Sequence, residues 1–289
     1  MSLRLQLWLL FLAPVALMAG LYGLGLSIPV PVLGRAYVLR VELPQPGQQL
    51  DLPEIVGPQD LARPLVVIDA GHGGHDPGAT REAFQEKRIA LGLAQALRDR
   101  LVAEGGIRVA LTRSDDRFLV LEERAEIARR LGADLFLSIH ADSAGGERGT
   151  RGATVYTLSE RASDAESELL ASRENSADLV NGVSLAGQSD AVSAILFDLS
   201  TRRAQEEAVE FAGLIVREGQ GRILFHPDTR RSANFVVLRS PDMPSVLFEA
   251  GFVTNPEDAQ RLTSAEGRAR FAEAMERAIR VYFARNSGA

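Results

Sequence analysis

The chain has 289 residues, 46% of them hydrophobic and 24% charged, enough apolar material for one large domain or two small ones and too much for a wholly disordered chain. Its formal net charge of -6 supplies no basic field for nucleic acid. The absence of cysteine excludes disulfides, thiolate metal sites, iron–sulfur clusters and a cysteine nucleophile.

Residues 1–34 open the chain with one basic side chain, Arg4, followed by an apolar run from Leu5 to Gly34 without a charge. That order fits a signal peptide, and the run is also long enough to span a bilayer. No clean A-x-A cleavage triplet is present, so a removed signal and a retained anchor both stand. Either predicts export to the periplasm or cell envelope, with membrane contact only through residues 5–34. A soluble buried helix is the weaker alternative, because such a helix normally keeps a polar face. Residues 35–63 carry Pro44, Pro46, Pro53 and Pro58 among Gly and Gln and read as a linker.

From residue 64 to 286, strand and helix signals alternate. Leu65–Asp69, Ile107–Leu111, Asp134–Ile139, Ala153–Thr157, Phe235–Leu238 and Ser245–Phe248 are short apolar runs that read as strands. Ile89, Leu93, Leu97 and Leu101 recur at helical spacing, as do Leu121, Ala125, Ala128 and Leu131. Ala191–Val216 and Ala265–Tyr282 predict two long helices, and another begins near Pro256. The alternation predicts one α/β layered domain, with a mixed or largely parallel sheet flanked by helices.

On this frame the unusual polar residues fall at equivalent places. His72 follows the first strand by two residues, His140 directly follows the third, and Glu249 directly follows the last. Ligands of open α/β sheets bind at the carboxyl ends of strands. Glu86 stands three residues before Ile89 and shares its helix face, so it points inward and needs a cation or donors to meet it. Each residue alone has an ordinary explanation, as a satisfied core histidine, a solvated loop or a helix-end charge. Together, two histidines and a carboxylate with an open position form a set common in zinc hydrolases. Glu249, left unbound, would relay a proton. The donors alone do not select zinc over other divalent ions. His75 and His226 read as loop residues.

Four separated segments also carry a family resemblance. Val67–Ala79 (VIDAGHGGHDPGA), Glu86-Lys87, Ser138–Asp142 (SIHAD) and Val246–Asn255 (VLFEAGFVTN) resemble, in order, the motifs of zinc-dependent N-acetylmuramoyl-L-alanine amidases of the amidase-3 group, which includes the bacterial cell-division amidases. Ser232–Pro241 resembles that group's substrate-groove segment. The resemblance covers about residues 65–285. It implies one Zn2+ held by His72, Glu86 and His140, with Glu249 catalytic. It implies peptidoglycan as substrate, cut between N-acetylmuramic acid and L-alanine in cell-wall remodelling and daughter-cell separation. The stretch between the export segment and Pro64 is too short for the targeting β-domain that division amidases often carry. A stem-cutting carboxypeptidase, a non-catalytic wall-binding module and a membrane-anchored structural protein are the competing classes.

Residues 159–191 form an insertion that the minimal α/β frame does not need. Seven acids face two bases there, and about Ser163–Val180 has helical composition. The expectation is a lid that docks Leu169 and Leu170 while an acidic side chain plugs the open metal position. Glu166 is the first candidate, with Glu160 and Glu174 behind it. The resemblance adds a protein activator that would displace this helix.

Overall fold

The computed structural model describes residues 52–143, 150–176, 179–180, 183–184, 194–240 and 242–286. The apolar segment 5–34 and most of the linker lie outside them. Among the described residues, no helix is long and apolar enough to cross a membrane.

An uninterrupted apolar run makes a stable strand only when both of its faces are covered. β1 (Leu65–Ala70), β5 (Leu135–His140) and β10 (Ser245–Glu249) are buried along their whole length. They sit side by side and parallel in a six-stranded sheet of order β4-β1-β5-β10-β6-β9. β4 (Arg108–Leu111) pairs parallel with β1. β6 (Ala153–Leu158) runs antiparallel to β10, and β9 (Phe225–Ala233) runs parallel to β6 at the far edge. A short hairpin, β2 (Thr80–Arg81) with β3 (Phe84–Gln85), and a second one, β7 (Leu179–Val180) with β8 (Val183–Ser184), lie outside this sheet.

Alternation along each strand sends successive side chains to opposite faces. Val66, Ile68, Leu137, Ile139, Val246 and Phe248 face a layer built by α1 (Glu86–Glu104), α4 (Ala194–Gly219) and α6 (Ala265–Asn286). In α1, Ile89, Leu93, Leu97 and Leu101 are all buried. Burying four such side chains contributes roughly 6–12 kcal/mol as an upper bound. The opposite face carries Val67, Phe136, Tyr156 and Leu247. α2 (Leu121–Leu131) and α3 (Ala165–Asn175) pack there, with Phe235, Val237 and Leu238. α5 (Pro256–Thr263) follows the loop after β10, capped by the Asn255 side chain on Glu257 and Asp258 N–H.

One expectation needs correction. Phe235–Leu238 is not a strand: Val236–Leu238 forms a 3₁₀ turn whose apolar side chains pack against α2. The strand belongs to the polar stretch just before it, Phe225–Ala233, which an edge position leaves largely uncovered on one side. The end of the expected linker is also fixed. Val56 pairs antiparallel with Val109 through two backbone bonds of 2.8 and 2.9 Å, and so covers part of the exposed edge of β4.

Candidate metal centre

Because β1, β5 and β10 are parallel, their carboxyl ends meet at one edge. Glu249 and His140 are direct register partners across β10 and β5. Their side chains share the face that carries Phe136 and Leu247. The chain leaves β1 through Gly71, whose N–H donates to the Ile139 carbonyl at 3.0 Å. A Cβ at Gly71 would lie 2.4 Å from the His140 ring, so only glycine lets β1 pass this close. His72 then takes a positive φ of 60°, unusual for a non-glycine residue, and turns back toward His140. Glu86 opens α1 and is fully enclosed.

Four ligand atoms, one each from His72, Glu86, His140 and Glu174, lie within 4.8 Å of one another. His72 Nε2 is 3.0 Å from Glu86 Oε1 and 3.4 Å from Glu174 Oε2. His140 Nδ1 is 3.0 Å from the same Glu86 oxygen and 3.2 Å from the same Glu174 oxygen. His72 Nε2 nevertheless has no aligned hydrogen-bond partner. The four atoms crowd toward a shared point rather than pairing off, and two imidazoles with buried carboxylates suit a divalent cation there.

Neighbouring groups fix the orientation of this set. Asp76 Oδ2 holds His72 Nδ1 at 2.7 Å, which presents Nε2 to the shared point. Glu86 accepts the N–H of Ala141 at 2.9 Å and that of Ala79 at 2.8 Å. Burial disfavours the charged form of both imidazoles, but the carboxylates of Glu86 and Glu174 overcome it and raise each ring to about 10. Burial also opposes ionisation of Glu86, yet the two histidines hold its carboxyl far below the usual range. Glu249 behaves differently. Both of its oxygens are buried without a hydrogen-bond partner. Desolvation, followed by the charges of Asp142, Glu86 and Glu174, lifts its carboxyl well above the ordinary value.

Two buried arginines, neither anticipated from the sequence, frame the loop. Arg113 donates to the carbonyls of Ala70, Gly71 and Lys87, each at 2.8 Å. Arg124 donates to the carbonyls of Ala70 at 2.8 Å and His72 at 2.9 Å, and pairs with Asp69 at 2.9 Å. Asp69 also accepts from Thr112 at 2.6 Å and Ser138 at 2.8 Å. The one lysine of the chain, Lys87, donates to the Gly74 carbonyl and to Asp116, each at 2.7 Å.

The acid expected at the ligand group, Glu166, is not the one found there. α3 does cover the ligand group, but Glu166 does not reach it. Glu166 Oε2 instead pairs with Arg231 at 2.6 Å beside β9. Glu174, at the other end of the helix, is the acid that does. The buried stripe of α3 is Ser167, Leu170, Ala171 and Glu174, while Leu169 is 59% exposed. Arg173 adds a 3.2 Å ion pair with Asp142, and Asn175 bonds the backbone at Asn234 and Val236. Glu160 is exposed, His75 is exposed against Phe118, and His226 lies in β9.

The sequence pattern of the family described as N-acetylmuramoyl-L-alanine amidase matches residues 66–281. The N-acetylmuramoyl-L-alanine amidase AmiA of Salmonella typhimurium is 39% identical over 221 residues, 76% of this chain and 76% of that one. AmiA of Escherichia coli matches to the same extent. Among solved structures, the N-acetylmuramoyl-L-alanine amidase AmiC2 of Nostoc punctiforme superposes with a TM-score of 0.54 at 30% identity, over 76% of this chain and 97% of that one.

Proposed function

The chain belongs to the N-acetylmuramoyl-L-alanine amidase family and is a peptidoglycan hydrolase of that class; on that premise we propose that it cleaves the amide between N-acetylmuramic acid and L-alanine with one zinc ion held by His72, Glu86 and His140 and with Glu249 as the catalytic carboxylate. The observation that carries this reading is the convergence of the ligand atoms within 4.8 Å beside a buried carboxylate with no partner of its own. A zinc ion so bound lowers the pKa of water from about 15.7 toward about 7 and polarises a carbonyl.

The protein's own groups do the rest. Asp76 fixes the tautomer of His72 and leaves Nε2 free to ligate. Glu86, held by two backbone N–H groups, contributes a carboxylate that cannot swing away. Glu249, desolvated and register-paired with His140, accepts a proton from the attacking water and returns it to the leaving amine. Glu174 closes the remaining place in the ligand group. α3 is therefore a cover that has to leave before substrate enters, and an activator acts by binding the open state better than the closed one.

The domain reading follows the same lines: an export segment or anchor at 1–34, a linker at 35–63, a catalytic domain at 64–286 with a regulatory insertion at 159–191, and a place in the periplasm or cell envelope. The test is metal analysis of the full chain together with product mapping on purified sacculi. One zinc per chain and lactyl-ended glycan with free L-alanyl peptides are expected. A metal-free active enzyme, or cuts inside the stem, would overturn the reading.

A further inference from the structure

We propose that His75, stacked on Phe118, is a platform for a pyranose ring of the glycan strand, and that it stays open while α3 is closed over the metal group. The two rings lie with their centroids 4.2 Å apart at an interplanar angle of 40°. Phe118 is half-buried and His75 is exposed. One face of the imidazole is therefore backed by carbon, and the other faces water.

The platform rests on two tied loops. A Cβ at Gly74 would lie 2.9 Å from both the Cβ and the N of Phe118, so only glycine lets the turn press against that residue. Gly74 N–H donates to Asp116 Oδ1 at 3.1 Å, and Gly73 and Asp76 exchange two backbone bonds of 3.0 and 3.1 Å. On the facing loop, Arg113 donates to the Asp115 carbonyl at 2.9 Å and Arg117 to the Thr112 carbonyl at 3.0 Å. A ring held this way has little freedom left to lose when a ligand lands on it.

The surface is a flat apolar face bordered by the exposed side chains of Asp115, Asp116 and Arg117. A pyranose presents the complement. Its C–H bonds carry partial positive charge and lie against the negative face of an aromatic ring, while its rim of hydroxyls bonds to carboxylates and guanidinium groups.

The position selects the sugar half of the substrate. In the sheet order, the loops after β1 and β4 lie on one side of β5 and β10, which carry His140 and Glu249, and β6 and β9 lie on the other. His75 is three residues past His72, so at most about 11 Å of chain separates the platform from that ligand. The bonds of α3 run to the metal group and toward β9, at Arg231, Asn234 and Val236. Among the described residues, none runs to 73–79 or 114–120. A substrate with its amide at the metal group leaves it in two directions, as a sugar on the acyl side and a peptide on the amine side. The half that runs toward β1 and β4 meets a ring with a polar border, which a pyranose fits. This inference rests on the amidase reading and deepens it: the glycan is held before the cover leaves.

The test titrates the full wild-type chain with a peptide-free tetrasaccharide of alternating N-acetylglucosamine and N-acetylmuramic acid. A parallel arm uses the uncharged N-acetylglucosamine tetramer. The His75 ring and Gly74 amide resonances are followed, and with 4 histidines in the chain the ring signals separate. Both sugars are expected to shift the two signals to saturation. Affinity read at Gly74 is expected to fall about three- to tenfold in His75→Ala and to recover in His75→Phe, the share of one aromatic contact. Silent signals, equal affinity in His75→Ala or no recovery in His75→Phe would overturn the platform. So would binding of the charged sugar alone with release by salt, or displacement of either sugar by free stem tripeptide. Sacculus hydrolysis by a Glu174→Ala chain is measured beside the titration. Hydrolysis with a silent His75 brings down the platform alone, and no hydrolysis brings down the amidase reading and the glycan assignment with it.

Discussion

The loop that carries His72 and the helix α3 that faces it are held by different kinds of bond. The loop is tied from behind by Arg113 and Arg124, whose side chains are almost wholly enclosed and reach six main-chain carbonyls, three of them at Ala70, Gly71 and His72. α3 is tied from its rim. Glu166 and Arg173, with side chains 50% and 37% exposed, reach out from the rim to the buried Arg231 and Asp142, and only one short stripe of the helix is buried. Bonds buried on both sides cannot be exchanged for water without a large cost, whereas a pair with one partner in water is screened and loses less when it opens. One side of the site is a fixed wall and the other a removable cover, so ligand geometry survives the motion that opens it.

The comparison breaks most severely at the ligands shared by both sides. His140→Ala should reduce zinc from one per chain to near none and drop sacculus hydrolysis to background. A variant that kept its metal and its rate would remove His140 from the set. Glu249→Gln should keep the metal and lose about 10²–10⁴-fold in kcat, measured by product release. Wild-type turnover would show that Glu249 moves no proton.

The wall itself is tested by Arg124→Met. Leaving Asp69 buried without its cation should cost about 3–5 kcal/mol of unfolding free energy in urea. A loss under about 1 kcal/mol would mean that the loop does not depend on this pair. The same variant carries a pH signature. Burial works against the Asp69 carboxylate, but Arg124, Thr112 and Ser138 hold it below the ordinary value. A depressed carboxylate contributes stability above about pH 4 that is lost as pH falls through the lowered value. Arg124→Met should flatten that acid limb.

The cover gives the smallest effect and the opposite sign. Glu174→Ala should raise basal hydrolysis without activator by roughly tenfold to a hundredfold, from about 1.5–3 kcal/mol of lost charge-assisted contact. Flat or lower activity in a folded, zinc-loaded variant would show that α3 does not shut the site.

Much of the wall was legible in the sequence because its signals are local. Apolar runs bounded by Pro64 and Gly71 mark β1, and a histidine or glutamate directly after such a run lands at a strand end. Glu86 was found from its spacing to Ile89. The arginines were not legible, since nothing local separates a buried Arg113 from an exposed one; both take their meaning from carbonyls far along the chain. β9 escaped notice because an edge strand with one face uncovered needs no apolar run, and its FHPDTRRSA stretch has none. The apolar residues of Phe235–Leu238 were noticed, but burial under a helix and burial in a sheet leave the same composition. Helical spacing does not separate Glu166 from Glu174, for a related reason. Both acids flank the leucines of α3 at helical spacing, and the choice depends on which end of the helix lies over the histidines. That direction is set by Arg231 at one end and Asp142 at the other, and neither is near the helix in sequence.

Lys87 has one consequence outside catalysis. It is the only lysine among 32 basic residues, it is 9% exposed, and its amine is bonded to Gly74 and Asp116. Acylating reagents that attack amines therefore find no accessible lysine on the folded face of this protein. The ε-amine they would need is the one that pins the glycine turn beside His72, so the rate at which Lys87 becomes acylated is a clock for how often that turn lets go.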